Sequence, residues 1–208
     1  GVFGVAAAAA AAAALLVVIT GGHNPPPVVA FALRPSRSIE GRFSYGPADP
    51  HRPYDVARSG AGAAPENIPL TTLALLEEAG DKNGLFSGYL LTGNDKQAQA
   101  VLDRAEMTAD TLSDRALLAL VRGDKTSALY EVERSLAREP GHAAALYNRA
   151  LILYQLALPL AAAQDWDAVA ALGEPGWSQE AKARAHELGA DHDARKLAWE
   201  KARLAARK

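Results

Sequence analysis

Residues 112–132 read LSDRALLALVRGDKTSALYEV, and residues 146–166 read LYNRALILYQLALPLAAAQDW. The second stretch repeats the first at an offset of 34 residues, and apolar residues recur at helical spacing within each. Four positions match across that offset: Leu112, Ala116, Ala128 and Val132 correspond to Leu146, Ala150, Ala162 and Trp166. This period predicts a repeat made of two helices. Its alanines would let the helices approach closely, and its larger residues would fill the gap to the next pair.

A third and looser unit precedes these two, and it carries Phe86 where a small residue is expected. Its other matching residues are Leu85, Tyr89, Gly93, Ala98 and Leu102. From Leu70 onward, helical spacing and turn residues predict nine helices and no strand. They span roughly residues 70–79, 84–92, 95–107, 112–122, 125–138, 143–157, 159–172, 178–189 and 191–206. The predicted fold class is therefore all-α, with a helical-hairpin solenoid over residues 70–190; the alternative is an alanine-rich bundle with an accidental echo.

The second stretch resembles a tetratricopeptide repeat (TPR). It reads Leu146-x2-Arg149-Ala150-x2-Leu153 and then Ala162-x3-Trp166, with Arg149 in a slot that is usually apolar. The resemblance implies a superhelix whose first helices line a concave surface that binds a peptide or protein. By that resemblance the candidate groove residues are Ser113, Leu117, Leu120, Tyr147, Leu151, Tyr154 and Gln155. Tyrosines suit peptide recognition, although several of these residues could equally be inter-repeat core.

The N-terminal segment predicts a single transmembrane helix over residues 1–20. Val2 to Ile19 carries no charge, and its length approaches the thickness of a bilayer core. A signal-peptide core and a low-complexity alanine helix in water are the alternatives. Because the chain begins at Gly1 and stops in a charged helical pattern at Lys208, we expect it to be a piece of a longer polypeptide.

Residues 21–69 predict a stalk followed by an irregular segment. The run Pro25-Pro26-Pro27 favours extended chain. Residues 28–33 and 39–45 could pair as a β-hairpin, and the Gly- and Pro-rich stretch from Gly46 to Pro69 has no sustained period.

The C-terminal residues 191–208 predict a basic helix that caps the solenoid. Contact with lipid headgroups is the alternative. Its cations outnumber its acids: Arg195, Lys196, Lys201, Arg203, Arg207 and Lys208 follow Asp191 and Asp193 and surround Glu200.

Composition argues against several classes of function. The formal net charge of -2 and pI near 6.2 make nucleic acid an unexpected partner. The chain has no cysteine, and no phosphate-binding or hydrolase motif occurs, so we expect no cofactor, no metal, no small-molecule substrate and no enzyme activity. His186 and His192 form the one histidine cluster, at a spacing that does not share a helical face. An enzyme acting through His51, Arg52, Tyr54 and Asp55 is the alternative.

Three other strings resemble the membrane-proximal region of bacterial TPR proteins that carry a CHAT peptidase domain. They are Arg42-Phe43-Ser44-Tyr45, His51-Arg52-Pro53-Tyr54-Asp55 and Leu172-Gly173-Glu174-Pro175-Gly176-Trp177. A CHAT peptidase uses a His and Cys pair, and this chain has no cysteine. The resemblance therefore implies the sensor or scaffold part of a larger effector, without the peptidase domain. The expected function is a membrane-tethered scaffold for protein–protein interaction with its repeats in the periplasm; a structural spacer is the alternative.

Overall fold

A computed structural model describes residues 31–54 and 65–205. Within these residues the protein has eight α-helices, one short 3-10 helix at Gly46–Ala48 and no strand, so the all-α class is confirmed for this part of the chain. The helices are α1 (Leu70–Glu78), α2 (Lys82–Leu91), α3 (Asp95–Leu102), α4 (Ala109–Val121), α5 (Lys125–Arg138), α6 (Ala143–Gln155), α7 (Pro159–Ala171) and α8 (Trp177–Ala205).

Each helix packs against the next one in the chain, and α4 also contacts both α2 and α6. The eight aligned positions of the two best repeats are all buried, and Ala116, Ala128, Ala150 and Ala162 have no exposed surface. Small side chains at these positions allow the close helix approach that the repeat pattern predicts. The core therefore follows the 34-residue period.

Arginines at equivalent positions join neighbouring repeats. Arg149, the departure from the apolar pattern, donates to Asp165 of α7 at 2.6 and 2.7 Å and pairs with Glu133 of α5 at 3.3 Å. Arg115, one period earlier, donates to the Leu102 carbonyl at 2.9 Å. The polar side chain in this slot thus makes inter-repeat contacts that an apolar one could not.

The N-termini of the helices carry local signals. Asp124 caps α5 by accepting the Ser127 amide, and His142 caps α6 by accepting the Ala145 amide at its Nδ1. Because His142 Nε2 lies 2.8 Å from Asp110, the two contacts fit the tautomer with its proton on Nε2. Caps of this kind satisfy helix amides that have no partner within the helix.

The last helix differs from the prediction. The sequence predicts two helices, at residues 178–189 and 191–206, yet α8 runs unbroken through Gly189, because one glycine in a helix interior costs only about 1 kcal/mol. Trp177, Ala181 and Ala185 are buried, so the first half of α8 packs against the preceding helix α7. The sequence predicts the cap over residues 191–208. Two apolar side chains in that range, Leu197 and Trp199, are 54% and 62% exposed and so are not part of the buried core.

The β-hairpin expected from residues 28–33 and 39–45 does not form in the described residues. Their one β-type contact is an isolated parallel bridge between Arg37 and Tyr54. No helix among the described residues is long and apolar enough to cross a membrane. The predicted span at Val2 to Ile19 lies outside them.

The turns after α4 and α6 generate a stability prediction. Gly123 has φ +77°, and Ala157, one repeat later, has φ +61°, a left-handed conformation that costs a residue with a Cβ about 1–2 kcal/mol. Glycine relieves that cost but loses some entropy on folding. We therefore expect Ala157→Gly to raise the free energy of unfolding by about 0.5–1 kcal/mol in urea denaturation.

Gly123→Ala is the reverse change at the equivalent turn, where a Cβ would meet nothing within 4 Å. We expect it to lower the free energy of unfolding by about 1 kcal/mol. Destabilisation by Ala157→Gly would contradict the strain argument.

Candidate functional site

Residues 31–54, called the strap below, lie across the first helices of successive hairpins. We call that surface, formed by α2, α4, α6 and the start of α8, the inner face. Phe43 of the strap packs against Phe86 of α2, with ring centroids 6.3 Å apart. Gly41 lies so close to α4 and α6 that an added Cβ would stand 2.5 Å from Leu117 Cδ1 and 2.8 Å from Asn148 Oδ1. The inner face is therefore occupied by the chain's own segment.

Two fully buried side chains of the inner face bind the strap backbone. Asn148 accepts the Arg42 amide at its Oδ1 over 2.8 Å and donates from Nδ2 to the Arg42 carbonyl over 2.9 Å. Asp114 accepts the Ser44 amide at 3.0 Å and also the Ser44 hydroxyl. Asn148 thus makes the pair of hydrogen bonds that a residue of a neighbouring β-strand would make. These bonds recognise the backbone of Arg42 and not its side chain.

Arg37 of the strap enters a buried acidic and aromatic pocket. Its two terminal nitrogens donate to the two oxygens of Glu180 at 3.0 and 2.6 Å, and Nη2 also donates to the Tyr147 hydroxyl at 2.8 Å. The guanidinium carbon lies 4.6 Å from the centre of the Trp177 ring. Bidentate pairing and stacking on an aromatic ring are both contacts that arginine makes and lysine does not.

Arg42 approaches the same indole. Its guanidinium carbon lies 4.3 Å from the Trp177 ring centre, its Nε donates to Asp49 at 2.8 Å, and Nη1 pairs with Glu174. Trp177 itself donates from Nε1 to the Asp49 carbonyl at 3.2 Å. Two of the strings that carried the CHAT-associated resemblance, residues 42–45 and 172–177, therefore meet at this point.

The loop proposed as an enzyme site holds the strap together. Arg52 donates to the carbonyls of Arg34 and Ser36 and to the buried Glu66. His51 Nε2 lies 3.0 Å from Glu180, and its ring packs edge-on against Trp177. Tyr54 forms the bridge to Arg37, and Asp55 lies outside the described residues. No group of three or more His, Asp or Glu side chains in the described ranges could hold a metal ion.

The buried acids of the inner face titrate differently. Burial raises the pKa of Asp114 to about 7, although its hydrogen bonds from Ser44 act in the opposite direction. Burial would also raise the pKa of Glu180, but Arg37, Tyr147 and Arg184 outweigh it and lower the pKa to about 2. Among the described residues, Asp114 thus binds the strap at Ser44 without a cationic partner, whereas Glu180 binds it at Arg37 and is surrounded by cations.

The predicted groove residues have different positions. Leu117 lies where a Cβ on Gly41 would point. The Tyr147 hydroxyl donates to Glu180 at 2.7 Å. Ser113, Leu120 and Leu151 are buried, whereas Tyr154 is 56% exposed and Gln155 is exposed. The groove assignment itself stays a prediction.

The residues that bind the strap were missed by sequence reasoning: Asp114, Asn148, Glu174, Trp177, Glu180 and Arg184. A signal for two of them was present, because Asp114 and Asn148 are 34 residues apart and so occupy the same repeat position. The repeat pattern is defined by its apolar positions, and these do not include the two polar residues. No comparable pattern marks Glu180, whose partner Arg37 lies 143 residues away.

A second concave feature lies beside α5. It is an open cavity of about 680 Å³, lined by one face of the helix and by Leu156; its lining residues include Leu129, Tyr130, Glu133 and Ala137. The Tyr130 side chain of this cavity is 63% exposed, whereas Tyr147 of the inner face is buried.

Comparison with known proteins adds no identification. No protein-family model matches the chain, and no curated protein matches it significantly.

The titration of Asp114 and Glu180 generates a pH prediction. Because the pKa of Asp114 is raised in the folded state, its contribution to the free energy of unfolding is present below the ordinary pKa of 3.8 and is lost as pH rises toward 7. Because the pKa of Glu180 is lowered in the folded state, its contribution is present above the ordinary pKa of 4.5 and is lost as pH falls toward 2. We therefore expect these two groups to place the maximum of the free energy of unfolding near pH 4 and to lower it by roughly 3 kcal/mol by pH 8. Burial also raises the pKa of Asp49 to about 6, although Arg42 acts in the opposite direction, so Asp49 adds to the decline above pH 4.

Urea denaturation across this range measures the effect, and Asp114→Asn is the matched variant. It keeps an acceptor for the Ser44 amide and removes the charge, so the decline toward pH 7 should become shallower, leaving the part due to Asp49, while the decline below pH 4 remains. A wild-type free energy of unfolding that increases from pH 5 to pH 8 would contradict the assignment.

Proposed function

We propose that this chain is a protein-interaction scaffold of the TPR type whose inner face binds an irregular polypeptide segment. The observation that carries the proposal is the pair of hydrogen bonds from Asn148 to the backbone of Arg42. Through these two bonds the fully buried Asn148 side chain pairs both its oxygen and its nitrogen with the backbone of one strap residue. The strap is the segment bound in this structure, which supports a scaffold that acts by binding.

The membrane part of the proposal rests on sequence. An anchor at residues 2–19, followed by the proline stalk, would deliver the chain directly to the strap. The buried ion pair between Arg37 and Glu180 would then connect the anchor to the repeats. This organisation suits the sensor or scaffold part of a larger bacterial effector, with the repeats in the periplasm.

A structural spacer is the second candidate, and one observation favours it. Arg37, Arg42 and Phe43 of the strap are 4, 6 and 4% exposed, so these three side chains are buried in the way that core side chains are. A segment held in this way could serve only to fix the distance between an anchor and an attached domain.

Gly41→Ala separates the two candidates. The added methyl has no room beside Leu117 and Asn148, so the strap must shift and its backbone hydrogen bonds must weaken. We expect the amides of Arg42 and Ser44 to exchange with solvent at least about tenfold faster, measured by hydrogen exchange on the full chain. Gly141→Ala is the control, because a methyl there meets nothing within 4 Å.

The same two variants are then crosslinked in the native host. For an interaction scaffold, Gly41→Ala increases the amount of a crosslinked partner relative to both the wild type and Gly141→Ala. Faster amide exchange with an unchanged crosslinking pattern would support the spacer instead.

The orientation is tested separately. We expect a reporter that is active only in the periplasm to be active when it is fused after Pro69 in a bacterial host. The proline stalk and the lack of cysteine suit export, whereas Arg34 and Arg37 would favour the cytoplasm by the positive-inside rule. Activity of a cytoplasmic reporter at the same junction would reverse the orientation.

A further inference from the structure

We propose that the inner face is a receptor for a segment with the pattern Arg-x3-Gly-Arg that follows the bent path of the strap and is supplied by a partner protein. The inference rests on the proposed function and names its ligand. The strap provides the template, since Arg37, Gly41 and Arg42 stand at these three positions. Each position meets a different requirement of the inner face.

The first position requires a guanidinium. Two parallel bonds join Arg37 to Glu180, a third joins it to the Tyr147 hydroxyl, and the Trp177 ring lies against it. A lysine ammonium offers one charged nitrogen on a flexible stem and cannot make the two parallel bonds. The pocket is therefore selective for arginine and not simply for positive charge.

The acceptor of this pocket also has partners that belong to the repeat region. The Tyr147 hydroxyl donates to Glu180 Oε1 at 2.7 Å, and Arg184 Nε donates to the same oxygen at 3.1 Å. Tyr147 belongs to α6, while Glu180 and Arg184 belong to α8. Because the repeats themselves orient the carboxylate, an incoming arginine would meet a preorganised site.

The second and third positions follow from Gly41 and Arg42. Any side chain at the Gly41 position would collide with Leu117 and Asn148. At the next residue, Asn148 binds the backbone, and the guanidinium contacts Trp177 and Glu174 of the repeat region as well as Asp49 of the strap itself. Asn148, Trp177 and Glu174 all belong to the repeats, so they stay available to a ligand from another protein.

Charge favours the same class of ligand. The repeat side chains that contact the strap include three acids, Asp114, Glu174 and Glu180, and one base, Arg184. Without the strap this surface carries an excess of negative charge. A segment with two arginines restores the balance.

The test uses the full chain with a protease site inserted between Tyr54 and Pro65. After cleavage, a fluorescent peptide of residues 31–54 is allowed to exchange with the cut strap, and binding is measured by anisotropy. In the uncut chain the strap competes from within the same molecule, so the peptide should bind at least about 100-fold more weakly. Circular dichroism confirms that the cut chain stays folded.

Unlabelled peptides then compete with the labelled one. We expect Arg37→Ala to compete on the order of 100-fold less well than the wild-type peptide, and Arg37→Lys at least about tenfold less well. Gly41→Ala should be similarly weakened. Ala32→Ser is the control: because Ala32 is exposed, its small polar replacement should change competition by no more than about twofold.

Equal competition by the arginine and lysine peptides would overturn the arginine pattern and leave the proposed function standing. Failure of every peptide to bind the folded, cut chain would overturn both. Unfolding of the cut chain on loss of the strap would also overturn both, since the strap would then be an integral part of the core.

Discussion

The strap brings backbone amides, carbonyls and two guanidinium groups into a buried surface, and each of these groups must find a partner there. An unpaired buried polar group costs about 1–3 kcal/mol, so the inner face has to supply partners at fixed places. Asn148 and Asp114 supply them for the backbone, and Glu180 and Glu174 supply them for the arginines. The positions of these side chains along the inner face set the path of the strap.

Apolar and polar contacts contribute differently to this arrangement. Burial of Phe31 and Phe43 provides favourable free energy that depends little on register, because the hydrophobic effect has no direction. The arginine pairs must offset the desolvation of their charges, so they add less stability than their short distances suggest. They define register instead. A slip by one residue would place Glu40 or Arg42 beside Leu117, where a Cβ has no room.

The repeat was predictable because it depends on local pattern. The 34-residue period and its alanines predicted the buried contacts, and turn residues placed most helix ends within a few residues. The unbroken α8 was not predictable from Gly189, because the cost of one glycine is small against the packing of the helix around it. The strap was missed for another reason. Its contacts join residues more than 100 positions apart, and such pairs have no signature in a single sequence.

The two backbone-binding residues show how one repeat position adapts to what lies beside it. At Arg42 the strap offers one donor and one acceptor, the amide and the carbonyl, and an asparagine side chain matches both. At Ser44 it offers two donors, the amide and the hydroxyl, and a carboxylate matches both. The carboxylate has the disadvantage of a buried charge without a cation, which is why the pKa of Asp114 is raised. The repeat position of Asp114 and Asn148 therefore contacts the bound segment directly. Whether it holds an amide or an acid follows from the hydrogen-bonding groups that the bound residue presents.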